Sequence, residues 1–137
     1  MSRTQTTRAE ETLRRDTMMA HLMDSLDAAK DIGHYGRLVF TMIARHFMDD
    51  DELTAYLSKE RDFGPEQARS LVAQVKAHDY SPPRREKILE FQSRQEFPII
   101  PDNGDPHAGN VYRDLKFPDH VYEHISEYYD HAAAAAA

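Results

Sequence analysis

The segment from Asp31 to about Met48 constrains the fold most, because it is apolar over most of a helical circumference. At about 100° per residue, its polar side chains fall on one narrow stripe: His34, Arg37, Thr41 and Arg45. A helix that is apolar on nearly all sides is normally buried among other helices. The sequence therefore predicts an all-α fold, a single compact bundle in which this segment is the central helix and Asp31 caps its first turn.

Further helices are predicted on both sides of the central one. Apolar side chains recur every three or four residues from about Ala9 to Ala29. Start signals mark later helices at Asp49–Asp51, at Gly64–Pro65 with an end near His78, at Ser81–Pro83 and at Asp119. The expected bundle thus has five or six helices, and Phe97–Ile100 is the only segment where β structure fits.

Helical periodicity disappears from Pro98 to Pro118, where prolines and glycines recur. Its apolar residues predict one long Pro-rich loop packed on the core before the last helix. The expected organisation is a disordered N-terminus at residues 1–8, a single helical domain at 9–131 and an alanine tail at 132–137 of the kind that cloning introduces.

Charge and composition exclude several classes of function. Lys and Arg number 17 against 24 Asp and Glu, so the formal charge is -7. This argues against a dedicated nucleic-acid binder, which needs a clustered positive field. The absence of cysteine excludes a disulfide framework and a thiolate nucleophile. With no signal peptide and no run near the ~20 apolar residues of a membrane span, the chain is predicted to be cytoplasmic, without a membrane partner.

The first candidate site lies on the last helix, where four potential metal ligands are spaced at i, i+4, i+7 and i+11: His120, His124, Glu127 and His131. Such spacing lets imidazole and carboxylate groups share a metal ion. The same stripe lies away from the centre of the apolar face, so a solvated surface explains it equally well.

The second candidate is the polar stripe of the central helix, proposed as an anion- or partner-binding site: His34, Arg37, Thr41 and Arg45. Its two guanidinium groups, if partly buried, require carboxylates from this chain, from a ligand or from a partner. Internal pairing is the simpler alternative. His46, on the apolar side, is predicted to be a core residue.

A third candidate is a basic face on the fifth helix that contacts nucleic acid: Arg84, Arg85, Lys87 and Arg94. Three glutamates are interleaved with it, as in a salt-bridged solvent face. A possible recognition edge follows in the loop, at Tyr112, Arg113, Asp114 and Lys116, although alternation of packed and solvated side chains predicts the same residues.

These features favour a small helical protein-interaction or regulatory subunit without catalytic activity, acting through a protein partner or self-association. Seven Tyr, six Phe and six Met supply adaptable apolar side chains suited to docking. No cofactor is predicted, because glycine-rich phosphate loops, G-x-S-x-G and H-E-x-x-H are missing. The alternatives are a metal-dependent enzyme that uses the stripe of the last helix and an accessory protein that contacts nucleic acid through the fifth helix.

Overall fold

The computed structural model describes residues 7–102 and 104–123, which are all-helical with no strand among them, Phe97–Ile100 included. This confirms the predicted all-α class. The helices are α1 Arg8–Leu13, α2 Thr17–Asp27, α3 Gly33–Ala44, α4 Asp50–Leu57, α5 Pro65–His78, α6 Arg85–Gln92 and α7 Val111–Asp114, and residues 119–123 are also helical.

The predicted helix from Ala9 to Ala29 is in fact two helices. The chain leaves α1 after Leu13, and Asp16 adopts an extended backbone with its Oδ2 accepting a hydrogen bond of 2.9 Å from the Met19 N–H. Both helices bury their apolar residues in the same core, so the periodicity runs through the break. Thr7 caps α1 in a capping box with Glu10, and the helix therefore begins within the segment predicted to be disordered.

Two of the predicted start signals act where the sequence places them, whereas α6 is capped at Arg84 instead of within Ser81–Pro83. The Asp49 carboxylate accepts from the Glu52 N–H at 2.8 Å and caps α4, and Pro65 opens α5, which ends at His78. The central helix begins two residues after the predicted cap, since Asp31 instead accepts from the Gly33 N–H in a local turn.

α3 lies at the centre of the packing and contacts α2, α4, α5 and α6. Val39, Phe40 and Ile43 of this helix are fully buried. Five methionines are also buried: Met18, Met19, Met23, Met42 and Met48. Five of the six methionines that suggested a docking surface therefore belong to the core.

The segment between Pro98 and Pro118 is interrupted by α7, which the predicted single loop did not include. Its apolar side chains are buried in the same core, among them Ile99, Val111 and Phe117. Gln92 anchors its start by accepting a hydrogen bond of 2.7 Å from the Ile100 N–H. The path of this segment brings residues 109–113 against the start of α6. No helix in the described ranges combines the length and apolar character of a membrane span.

Candidate functional site

The polar stripe of α3 is held by carboxylates of the chain itself. Arg37 Nη1 donates to both carboxylate oxygens of Glu60, at 2.9 and 3.0 Å, and to Asp31 at 3.1 Å. The Glu60 side chain is only 4% exposed, and the ring of Phe63 lies 4.6 Å from the Arg37 guanidinium carbon. The anion that this end of the stripe requires is therefore internal.

The other end of the stripe has different partners. Arg45 donates to the Asp79 carboxylate at 2.7 Å and to the Tyr80 carbonyl at 3.0 Å. Thr41 is buried and donates to the carbonyl of Arg37, while His34 is exposed. The two arginines of the stripe thus form two separate contacts with carboxylates of the chain.

Only the first member of the proposed metal stripe falls within the described residues. His120 is exposed, and its ring centroid lies 5.9 Å from that of His46. Burial, followed by the charges of Arg45 and His120, lowers the pKa of His46 to about 4, so this imidazole is neutral near pH 7. His124, Glu127 and His131 lie outside the described residues. Across residues 7–102 and 104–123, no three His, Asp or Glu side chains are arranged to hold a metal ion.

The basic face of α6 divides into two parts. Lys87 and Arg94 both pair with Glu90, each at 3.3 Å, as expected for a salt-bridged solvent face. Arg84 and Arg85, at the start of the helix, instead line a cavity. The four basic residues predicted to contact nucleic acid therefore do not form one continuous positively charged surface.

This cavity, which we call the arginine cavity, has a volume of about 220 Å³ and lies between the start of α6 and residues 109–113. Three arginines line it, Arg84, Arg85 and Arg113, together with the acidic side chain of Glu86.

Three contacts position the cavity walls. Arg85 Nε donates to the Ala108 carbonyl at 3.0 Å, and the Tyr112 hydroxyl donates to the Pro82 carbonyl. Gly109 has a φ of +91°, and a Cβ at this position would lie 3.0 Å from Ile100, so the close approach requires glycine. The walls are therefore fixed by backbone and core contacts, which leave a concave, positively charged surface.

The sequence pattern predicts Arg84 and Arg85 as part of a basic face and Arg113 as part of a recognition edge. It does not indicate that the three side chains line one cavity. The hydrogen bond that brings the two segments together joins residues 30 positions apart. No protein-family model, curated protein or solved structure matches this chain.

Proposed function

We propose that the protein is a small interaction protein that binds an acidic group of a partner protein in the arginine cavity. The observation that carries this proposal is the convergence of Arg84, Arg85 and Arg113 on one concave surface of a chain whose net charge is -7. Arginine presents several N–H donors in a planar fork that matches carboxylate and phosphate oxygens. The proposed ligand is therefore an oxyanion on a peptide, either a carboxylate or a phosphorylated side chain.

The start of α6 adds to this positive field. The N-cap residue Arg84 makes no side-chain cap hydrogen bond, and Arg85 is the first helical residue. The first-turn N–H groups of a helix already carry partial positive charge. The guanidinium groups of Arg84 and Arg85 make the electrostatic potential at the start of α6 more positive. An oxyanion bound in the cavity would offset this positive potential.

Other cations of the chain are used differently. Arg14, Arg37 and Arg45 each pair with carboxylates of the chain itself. Arg85, in contrast, donates to the backbone carbonyl of Ala108. A guanidinium whose described hydrogen bond goes to a neutral carbonyl keeps its full charge for a second partner.

A protein partner is favoured over nucleic acid by the shape and extent of this field. A nucleic acid presents a row of phosphates, and binding several of them requires a series of cations. Glu90 pairs with both Lys87 and Arg94, and the chain as a whole is acidic. The cavity is therefore suited to one charged group at a time.

Docking through a large apolar surface has less support. Among the described residues, the large apolar side chains that stand out as exposed are Tyr80, Leu89 and Tyr122, each less than 40% exposed. The metal-dependent enzyme remains a separate proposal, and elemental analysis of untagged protein tests it. A stoichiometric metal that is lost on replacing His120 with alanine would favour it.

The proposed function is tested by titrating the isotope-labelled full chain with inorganic phosphate, and then with matched peptides carrying phosphoserine, glutamate or serine at one position. We expect amide shifts at Glu86, Lys87 and Gly109. Arg113→Gln should weaken binding about tenfold, the usual worth of a hydrogen bond to a charged group. Arg94→Gln, two residues beyond the end of α6 and outside the cavity, is the matched control and should bind as the wild type does.

Each alternative has a distinct result. Equal binding of the serine peptide, or equal loss in the Arg94 variant, would refute an oxyanion site in the cavity. Tighter binding of a single-stranded oligonucleotide than of any peptide, weakened by Arg84→Glu with Arg85→Glu, would replace the protein partner with nucleic acid.

A further inference from the structure

The last described residues of the chain lie next to one wall of the arginine cavity. Val121 is only 3% exposed, and the Tyr122 hydroxyl accepts a hydrogen bond of 2.9 Å from the Phe117 N–H. The ring centroid of Tyr122 lies 6.4 Å from that of Tyr112, which lines the cavity and donates to the Pro82 carbonyl. The chain therefore leaves the described ranges one residue after Tyr122, beside this cavity wall.

The sequence that follows has the charge of the ligand proposed for this cavity. Residues 124–131, which we call the acidic segment, lie outside the described residues and carry two carboxylates, Glu127 and Asp130, with no Lys or Arg. Arg84 and Arg113 line the cavity from its two sides, and both side chains are exposed. Carboxylates of the acidic segment therefore match these guanidinium groups in charge and in hydrogen-bonding geometry.

The connecting chain is long enough for such a contact. Glu127 follows Tyr122 by five residues, and Asp130 follows it by eight. Five residues span about 7.5 Å as a helix and up to about 17 Å when extended. Both lengths exceed the 6.4 Å between the Tyr122 and Tyr112 ring centroids. A group tethered by a short linker acts at an effective concentration of about a millimolar, so even a weak contact is occupied for much of the time.

We propose that the acidic segment occupies the arginine cavity of its own chain and competes there with the oxyanion of a partner. This inference rests on the proposed function, because it takes the cavity to be an oxyanion site. It adds a regulation of that site, since a partner then binds by displacing Glu127 and Asp130. The affinity for the partner is therefore lower than the three arginines alone would give.

The contact is tested first without any ligand. Because the chain has no cysteine, Ala133→Cys provides a unique position for a nitroxide spin label on the full chain. We expect the label to broaden the amide signals of Glu86 and Gly109, which line the cavity. The amide of Gly64, at the opposite end of α5 from the contact with Arg45, should keep its line width.

Two paired variants separate a specific contact from a general effect of charge. Glu127→Gln with Asp130→Asn removes the carboxylates of the acidic segment and should reduce the broadening at the cavity amides. Asp119→Asn with Glu123→Gln removes the same number of carboxylates from exposed positions just before the segment. This second pair is the matched control and should leave the broadening unchanged.

Competition is then measured by titrating the full chain, without the label, with inorganic phosphate. Glu127→Gln with Asp130→Asn should raise the affinity for phosphate about threefold to tenfold, because a tethered competitor at an effective concentration of a few millimolar no longer occupies the cavity. The control pair at Asp119 and Glu123 should change the affinity by less than about twofold at physiological salt, which screens exposed charges.

The outcomes separate this inference from the proposed function. Equal broadening in the wild type and in both paired variants overturns the contact, and an equal rise in phosphate affinity in both pairs overturns the competition. Broadening that appears when spin-labelled chains are mixed with isotope-labelled chains lacking the label assigns the contact to two copies and overturns a contact within one chain. Phosphate binding that Arg113→Gln weakens leaves the arginine cavity in place in each of these cases. Broadening that depends on Glu127 and Asp130, combined with no binding of phosphate or of any peptide, supports the contact and overturns the proposed function.

Discussion

The contact between Arg37 and Glu60 should make stability strongly dependent on either partner. The Arg37 side chain is 16% exposed and that of Glu60 is 4% exposed. Glu60→Ala removes both short contacts to the guanidinium and also the acceptor that serves the Ile32 N–H at 3.3 Å. Breaking a fully buried pair typically costs about 3–5 kcal/mol.

The expected loss lies at the lower end of that range. Arg37 keeps its contact with Asp31, whose side chain is 76% exposed, so its charge is not left without a partner. We therefore expect Glu60→Ala to lower the free energy of unfolding by about 3 kcal/mol. Glu60→Gln keeps an acceptor for the Ile32 N–H and should cost about 1 kcal/mol less than Glu60→Ala.

Urea unfolding followed by circular dichroism measures these losses. The double variant Arg37→Met with Glu60→Leu should lose about 2 kcal/mol less free energy of unfolding than the sum of the losses in the two single variants. The reason is that neither charged side chain is then left without its partner. The pair of Lys87 and Glu90, about half exposed on both sides, is the control, and its disruption should cost at most about 1 kcal/mol. Strict additivity, or a loss no larger than in the control, would refute the view that this end of the stripe is internally neutralised.

Further perturbations test the local structure. Gly33→Ala should lower the free energy of unfolding by about 1–3 kcal/mol, since Gly33 has a φ of +79° and a new Cβ would collide with the Gln95 side chain; an unchanged urea midpoint would contradict this. Asp49→Ala should lower the free energy of unfolding by about 1 kcal/mol through loss of the α4 cap, whereas Asp49→Ser should recover most of it. Because burial raises the pKa of Asp16 to about 7, wild-type stability should fall as pH rises from about 4 to about 7. A urea series across pH should show this decline in the wild type, and an equal decline in Asp16→Asn would rule out Asp16 as its source.

The starts of α4 and α5 were predictable because capping acts within three residues. Asp49 and Pro65 are followed directly by the turns that they stabilise, so their effect is visible in the sequence. Asp16 carries the same kind of signal, but apolar residues continue with helical spacing on both sides of it. At Asp16 the capping signal predicts a new helix, whereas the apolar periodicity predicts one continuous helix. The periodicity continues because α1 and α2 bury their apolar residues in the same core.

The arrangement of the charged side chains was not predictable in the same way. The sequence identifies Arg37 and Arg45 as cations on a buried helix, and it suggests internal pairing as an alternative. It does not identify the partners, since Glu60 and Asp79 lie 23 and 34 residues further along the chain. Such contacts are set by the packing of α4 and α5 against α3, which local patterns do not encode.

The N-terminal ends of α4 and α6 carry opposite charges, and this difference bears on the proposed role of the arginine cavity. Asp49 caps α4, and three acidic residues occupy its first turn, so the charge at this end favours the helix without any ligand. At α6 the cap and the first helical residue are arginines, and Glu86 is the acidic residue of the first turn. Cations at this end of a helix oppose its dipole, and each costs a few tenths of a kcal/mol. This contrast supports the proposal that the arginine cavity binds an oxyanion.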